Sequence, residues 1–186
     1  MTELAHRAGW WRRFFAWWYE LLLLIPVLLL AGALFQGVFQ LLTQVPVDQI
    51  SQLPWARNLS FGWLLVVMFG YFAWCWKRGG QTLAMKTWRL KLVALEDGGP
   101  LSWRAVSIRF LVCLICFAPV VPLWVEVRVD HSWLPWAQMS LAWCVIPFAW
   151  AWFDGDKQFL HDRLAGTRLV FAPKKPRQNQ QEPAQA

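Results

Sequence analysis

Arg13, Trp17 and Glu20 follow one another at steps of four and three residues, a spacing that sets all three on one face of a helix. Glu20 lies inside an apolar run at 14–39, and Arg12 and Arg13 stand just ahead of that run. An acid at the centre of a helix in hydrocarbon costs about 2.5–3.5 kcal/mol on insertion scales. A chain that keeps one there pairs it, packs it against another helix or uses it. Burial and a neighbouring guanidinium shift a carboxyl in opposite senses, and Glu20 beside Arg13 would feel both. The bland alternative is a staple, a buried polar network that fixes the fold and moves nothing.

The elements that must position these residues are membrane helices. Hydrophobic residues make up 58% of the 186, and 16 are tryptophan, too apolar a mixture for an ordinary soluble domain. Four segments are long and nearly free of charge: 14–39, 59–76, 110–125 and 136–153. A helix needs about 20 residues to span hydrocarbon. The third segment is short and carries Pro119 and Pro122, so its outer end is expected to be distorted. Pro147 is expected to kink the fourth. The resulting fold class is an all-α membrane protein of four transmembrane helices with a small β element.

Charge sets the orientation. Of the 18 Lys and Arg residues, only Arg57 and Arg128 fall in the loops after the first and third spans. The positive-inside rule then places both termini and the middle loop in the cytoplasm. An even number of spans requires the same. Tryptophans group near the two expected boundaries, Trp10, Trp11, Trp74 and Trp76 at the inner one and Trp55, Trp133 and Trp136 at the outer, where amphipathic indoles prefer to lie. The first run, with Ala31-Gly32-Ala33 inside it, mimics a secretory signal but is too long for one. It is expected to be a retained anchor.

Between the second and third spans, 81–86 reads as a short interfacial helix and 88–95 as a strand ending at the turn Glu96-Asp97-Gly98-Gly99-Pro100. After the fourth span, 157–164 reads as a short helix closed by Gly166, and 167–171 as a second strand. A lone strand leaves its backbone unpaired, so the two strands are expected to pair. The tail at 172–186 is polar and expected to be disordered.

Three blocks resemble the RDD family of small bacterial membrane proteins. They are Ala8-Gly9-Trp10-Trp11-Arg12-Arg13-Phe14-Phe15-Ala16 with Glu20 beyond it; Arg78-Gly79-Gly80-Gln81-Thr82-Leu83-Ala84-Met85-Lys86 with Asp97-Gly98-Gly99-Pro100-Leu101-Ser102; and Leu160-His161-Asp162-Arg163-Leu164-Ala165-Gly166-Thr167. The family takes its name from one arginine and two aspartates. By resemblance the arginine falls at Arg13, with Arg12 beside it. The first aspartate falls at Glu20, a departure by one methylene that bears on ion preference. The second falls at Asp162, with Asp156 as second choice. The resemblance covers 8–171 and implies a transport-associated protein of the bacterial cytoplasmic membrane, since some members are similar to sodium/proton antiporters.

Two functions follow as expectations. One is monovalent cation/proton exchange through Glu20, with Arg13 and Asp162 in the same site and Asp154, Asp156 or freed carbonyls near Pro147 as further oxygen ligands. A homodimer would enclose a path, and Ala33 and Gly37 are small enough for close helix approach. The other is a non-transporting accessory protein that docks a partner on its cytoplasmic face. His161 beside Asp162 invites a proton-relay reading against that of a histidine near the headgroups. Cys113 and Cys116 have redox spacing but lie in a membrane helix, where cysteine behaves as a small apolar residue. No nucleophile, base and orienting acid occur together, so no enzyme, cofactor or metal centre is expected. The basic middle loop is read as topology and lipid attraction rather than nucleic-acid binding.

Overall fold

The computed structural model describes residues 9–45 and 53–172. The expected tail lies outside the described residues, apart from Ala172. Helix α1 spans Trp10–Thr43, 34 residues, with Pro26 inside it. It runs without a break through Ala31-Gly32-Ala33 and ends at Gln44, whose left-handed backbone turns its N–H to the Gln40 carbonyl. Helix α2 spans Pro54–Gly79. Proline at its start suits the helical φ, and Gly80 ends it at φ +65°, a conformation that glycine adopts at little cost. Lys77 and Arg78 occupy its last turn and offset the carbonyl end of the helix dipole.

The short helix expected at 81–86 is α3, Leu83–Thr87, capped by the Thr82 hydroxyl. Strand β1 is Leu90–Ala94. Helix α4, Trp103–Phe117, starts well before the expected third span, capped by Ser102. A turn at Ala118 and Pro119 leads to α5, Val120–Val129. The anticipated distortion is this break, and Glu126 and Arg128 are helical rather than in a loop. A 3₁₀ turn, His131–Trp133, leads to α6, Leu134–Phe153, with Pro147 inside. Helix α7 is Leu160–Leu164, shorter than expected, and β2 is Thr167–Phe171.

The strands pair antiparallel, with Leu90 opposite Phe171 and Ala94 opposite Thr167. A two-stranded sheet alone is marginal in water. Here Leu90, Leu92 and Leu169 join Ala16, Ala73 and Phe110 in the largest buried cluster. That cluster lies where the sheet meets α1, α2 and α4. A smaller one, Phe39 with Ala56, joins α1 to α2 at the far end.

Among the described residues, three segments are long and apolar enough to cross a membrane: Trp10–Thr43, Pro54–Gly79 and Trp103–Val129. Only 6%, 17% and 11% of their most apolar stretches are buried in the fold. So large an exposed apolar surface marks an interaction site or a membrane face, and length with composition fits the latter. The fourth expected span forms as α6 but is not one of the three. Four tryptophans, two prolines and Gln138 dilute its hydropathy.

Candidate functional site

The start of α1, the end of α2, the start of α4 and the end of α6 meet the sheet at one end of the bundle. Two buried polar nodes form there, and α1 contributes to both.

Glu20 heads the first node. It is 8% exposed. Tyr71 of α2 donates its hydroxyl to Oε1 at 2.9 Å, and Thr82 donates to Oε2. The same Thr82 oxygen accepts the Met85 N–H at 3.2 Å, so one hydroxyl caps α3 and binds the acid. No Lys, Arg or His forms an ion pair with Glu20 among the described residues.

The expected Arg13–Glu20 pairing is therefore not made. Arg13 is buried on the same helix, but its Nη2 donates to the Lys157 carbonyl at 2.7 Å and its guanidinium lies 4.6 Å from the centre of the Phe159 ring. Trp17, between them, packs on Phe117 and Phe148. The shared face exists, but the helices packed on it offer each charged group a nearer partner.

Asp162 heads the second node, and Arg109 of α4 is its partner. Arg109 Nη1 bonds Asp162 Oδ1 and also donates to Thr167 Oγ1 at 3.1 Å. The guanidinium stacks over Trp76 at 5.1 Å. Thr167 donates in turn to the Asp162 carbonyl at 3.3 Å. Burial alone would push the Asp162 carboxyl up; Arg109 first, then His161 and Arg13, outweigh it and hold the group below its usual range.

His161 Nε2 lies 3.7 Å from Asp162 Oδ1. Burial is the main influence and pushes the imidazole down to about 4, against the pull of Asp162. His161 is thus neutral at pH 7, and it is buried rather than at a headgroup surface. Its Nδ1, Asp162 Oδ2 and the Nε atoms of Arg13 and Arg109 have no hydrogen-bond partner among the described residues.

The second-rank residues lie outside these nodes. Arg12 is exposed, 5.1 Å from the Phe171 ring centre. Asp156 pairs with Arg163 at 2.8 Å at the surface. Asp154 accepts the Gln158 N–H at 2.9 Å. Cys144 donates to the Cys116 carbonyl at 3.3 Å, and Cys113 and Cys116 are free thiols.

Sequence reasoning missed Arg109, Tyr71 and Thr82. Arg109 was counted only as a topology charge, although an arginine directly against an apolar run is itself a signal. Tyr71 and Thr82 carry none, being a neutral helix residue and a capping threonine.

Chemically, the first node is an uncompensated acid with hydroxyl donors, and the second is a closed ion pair. No group of three or more His, Cys, Asp or Glu residues suited to a metal occurs among the described residues. No curated protein and no solved structure matches the chain. A family model described as the RDD family matches residues 7–166, most of the 186, in keeping with the apolar helices, and the chain belongs to that family.

Proposed function

We propose that this protein exchanges a monovalent cation for protons across the bacterial cytoplasmic membrane, with Glu20 as the exchanging carboxylate. In this reading all four expected spans cross the membrane, as α1, α2, α4 with α5, and α6, and the sheet lies on the cytoplasmic side. The observation that carries it is Glu20 itself. It is a buried acid in an apolar helix, bound by two hydroxyls and, among the described residues, paired with no Lys, Arg or His. Hard cations take oxygen ligands, and the two carboxylate oxygens with those of Tyr71 and Thr82 form such a set. A proton on Glu20 would compete for the same oxygens. The Arg109–Asp162 pair then serves as the staple that holds α4 to α7.

The deciding experiment is ion-driven proton flux in liposomes that hold the purified protein, with sodium or potassium gradients. Wild type is expected to exchange, and Glu20→Gln to lose exchange while keeping its fold. Full exchange by Glu20→Gln would remove the acid from the mechanism. Absence of flux in wild type would favour the accessory reading, in which Glu20 fastens α3 to α1 and the cytoplasmic face meets a partner.

A further inference from the structure

Two hollows adjoin at the basic end of α2. One is an open groove of about 500 Å³ between α2 and α4, walled by Phe69, Gly70, Ala73, Trp74 and Trp103. The other is a pocket of about 200 Å³ whose lining includes Gly79, Gly80, Gly98 and Gly99, with Lys91 beside them. Lys77 and Arg78 line both. The result is one cleft, apolar along its length in the helices and cationic at its end.

The cations are not answered within the fold. Lys77 donates to the Leu101 carbonyl at 2.8 Å and lies 5.3 Å from the Trp103 ring centre; Arg78 lies 5.4 Å from that of Trp74. Among the described residues no carboxylate pairs with Lys77, Arg78 or Lys91. Of the two acids in the adjoining turn, Asp97 is engaged with its own backbone, accepting the Gly99 N–H at 2.9 Å, and Glu96 is exposed and forms no ion pair among the described residues. The carbonyl end of α2 carries about half a negative charge, against three positive charges at the pocket.

We propose that this cleft binds an anionic glycerophospholipid. An acyl chain lies in the groove against Phe69 and Gly70, and the phosphate sits among Lys77, Arg78 and Lys91. Glycine walls let the phosphate approach the backbone closely. Trp74 and Trp103 flank the junction, and indoles prefer the headgroup layer. Charge complementarity selects the lipid class, and the apolar groove selects a lipid over a free phosphate. The inference does not depend on whether Glu20 carries ions.

The test is lipid enrichment around the full chain in vesicles of phosphatidylcholine with a minor fraction of phosphatidylglycerol. Protein is extracted in mild detergent, and the retained lipid is identified by mass spectrometry. Wild type is expected to retain phosphatidylglycerol well above its bulk share. K77Q/R78Q is expected to lower that enrichment, by about fivefold per charge removed. K86Q/R104Q removes two exposed charges outside the cleft and is expected to leave enrichment intact. Gly70→Leu fills the groove, and a Cβ at Gly70 meets nothing within 4 Å. Leucine also favours helix over glycine, so the variant should fold; it is expected to lose enrichment with all cations in place. Lys91→Gln changes one exposed side chain and should show a partial loss. Unchanged enrichment in K77Q/R78Q or Gly70→Leu, or an equal loss in K86Q/R104Q, would overturn the proposal.

Discussion

Arg109 and Asp162 are each almost fully buried, and each is the other's charged partner. Removing one member leaves the other buried and uncompensated, which costs about 3–5 kcal/mol. Arg109→Met and Asp162→Asn should each lower the thermal midpoint in detergent steeply. The double variant R109M/D162N should recover much of the loss, because no lone charge then remains. An additive double variant would mean that the two residues act separately. His161 gives a pH signature at the same node. Its folded pKa is lowered from 6.5 to about 4, so the unfolded chain binds more protons between those values. Stability is therefore full above about pH 6.5 and falls as pH drops toward 4, by about 3 kcal/mol at most. Asp162 is held below its usual value, so its own contribution persists until lower pH. Thermal midpoints measured between pH 7 and pH 4 should fall for wild type and flatten for His161→Gln.

At the scale of elements, the join between α2 and β1 rests on Gly80. Its positive φ and its closeness to the Leu92 carbonyl oxygen leave no room for a side chain. Its own carbonyl accepts the Leu92 N–H at 2.7 Å, which pins the strand to the helix end. Gly80→Ala is expected to destabilise by about 1–3 kcal/mol. Gly32→Ala, in open space within α1, should be neutral or stabilising; equal thermal midpoints for the two variants would contradict this account. These elements were legible in the sequence to differing degrees. Turn chemistry and capping are local, so both strands and α3 were found within a few residues. The break at Ala118 and Pro119 was foreseen because proline acts on its own neighbourhood. The partners of Glu20 and Asp162 were not foreseen. Tyr71 lies 51 residues from Glu20, and Arg109 lies 53 from Asp162. Contacts of that span depend on how helices dock, which no local pattern records. Spacing correctly placed Arg13 and Glu20 on one face, but a shared face does not oblige two side chains to meet.

Over the whole molecule, segments that are far apart in sequence but alike in basic charge converge on one end with the sheet. The proposed topology puts that end in the cytoplasm and the 3₁₀ turn before α6 outside. Single cysteines introduced in a background without the native ones should report this. Ser132→Cys is expected to react with a membrane-impermeant thiol reagent in intact cells, and Glu96→Cys only after permeabilisation. The reverse order would overturn the orientation, and reaction of both would mean that α4 with α5 does not cross.

The fastenings of the bundle are unevenly placed. Glu20 to Tyr71 and Thr82, Arg13 to Lys157 and Arg109 to Asp162 all tie the helices at the sheet end. Toward the opposite end, Trp63 of α2 donates its indole N–H to the Ala31 carbonyl of α1 at 3.0 Å, and beyond it Phe39, Trp55 and Ala56 meet by ring and methyl contacts. Apolar contacts slide and re-form at small cost, whereas the polar ties resist displacement. Lateral strain in the surrounding lipid would therefore first slide α1 against α2 beyond the Trp63 bond, as far as the segment joining Thr43 to Pro54 allows, with Glu20 close to the pivot and least displaced.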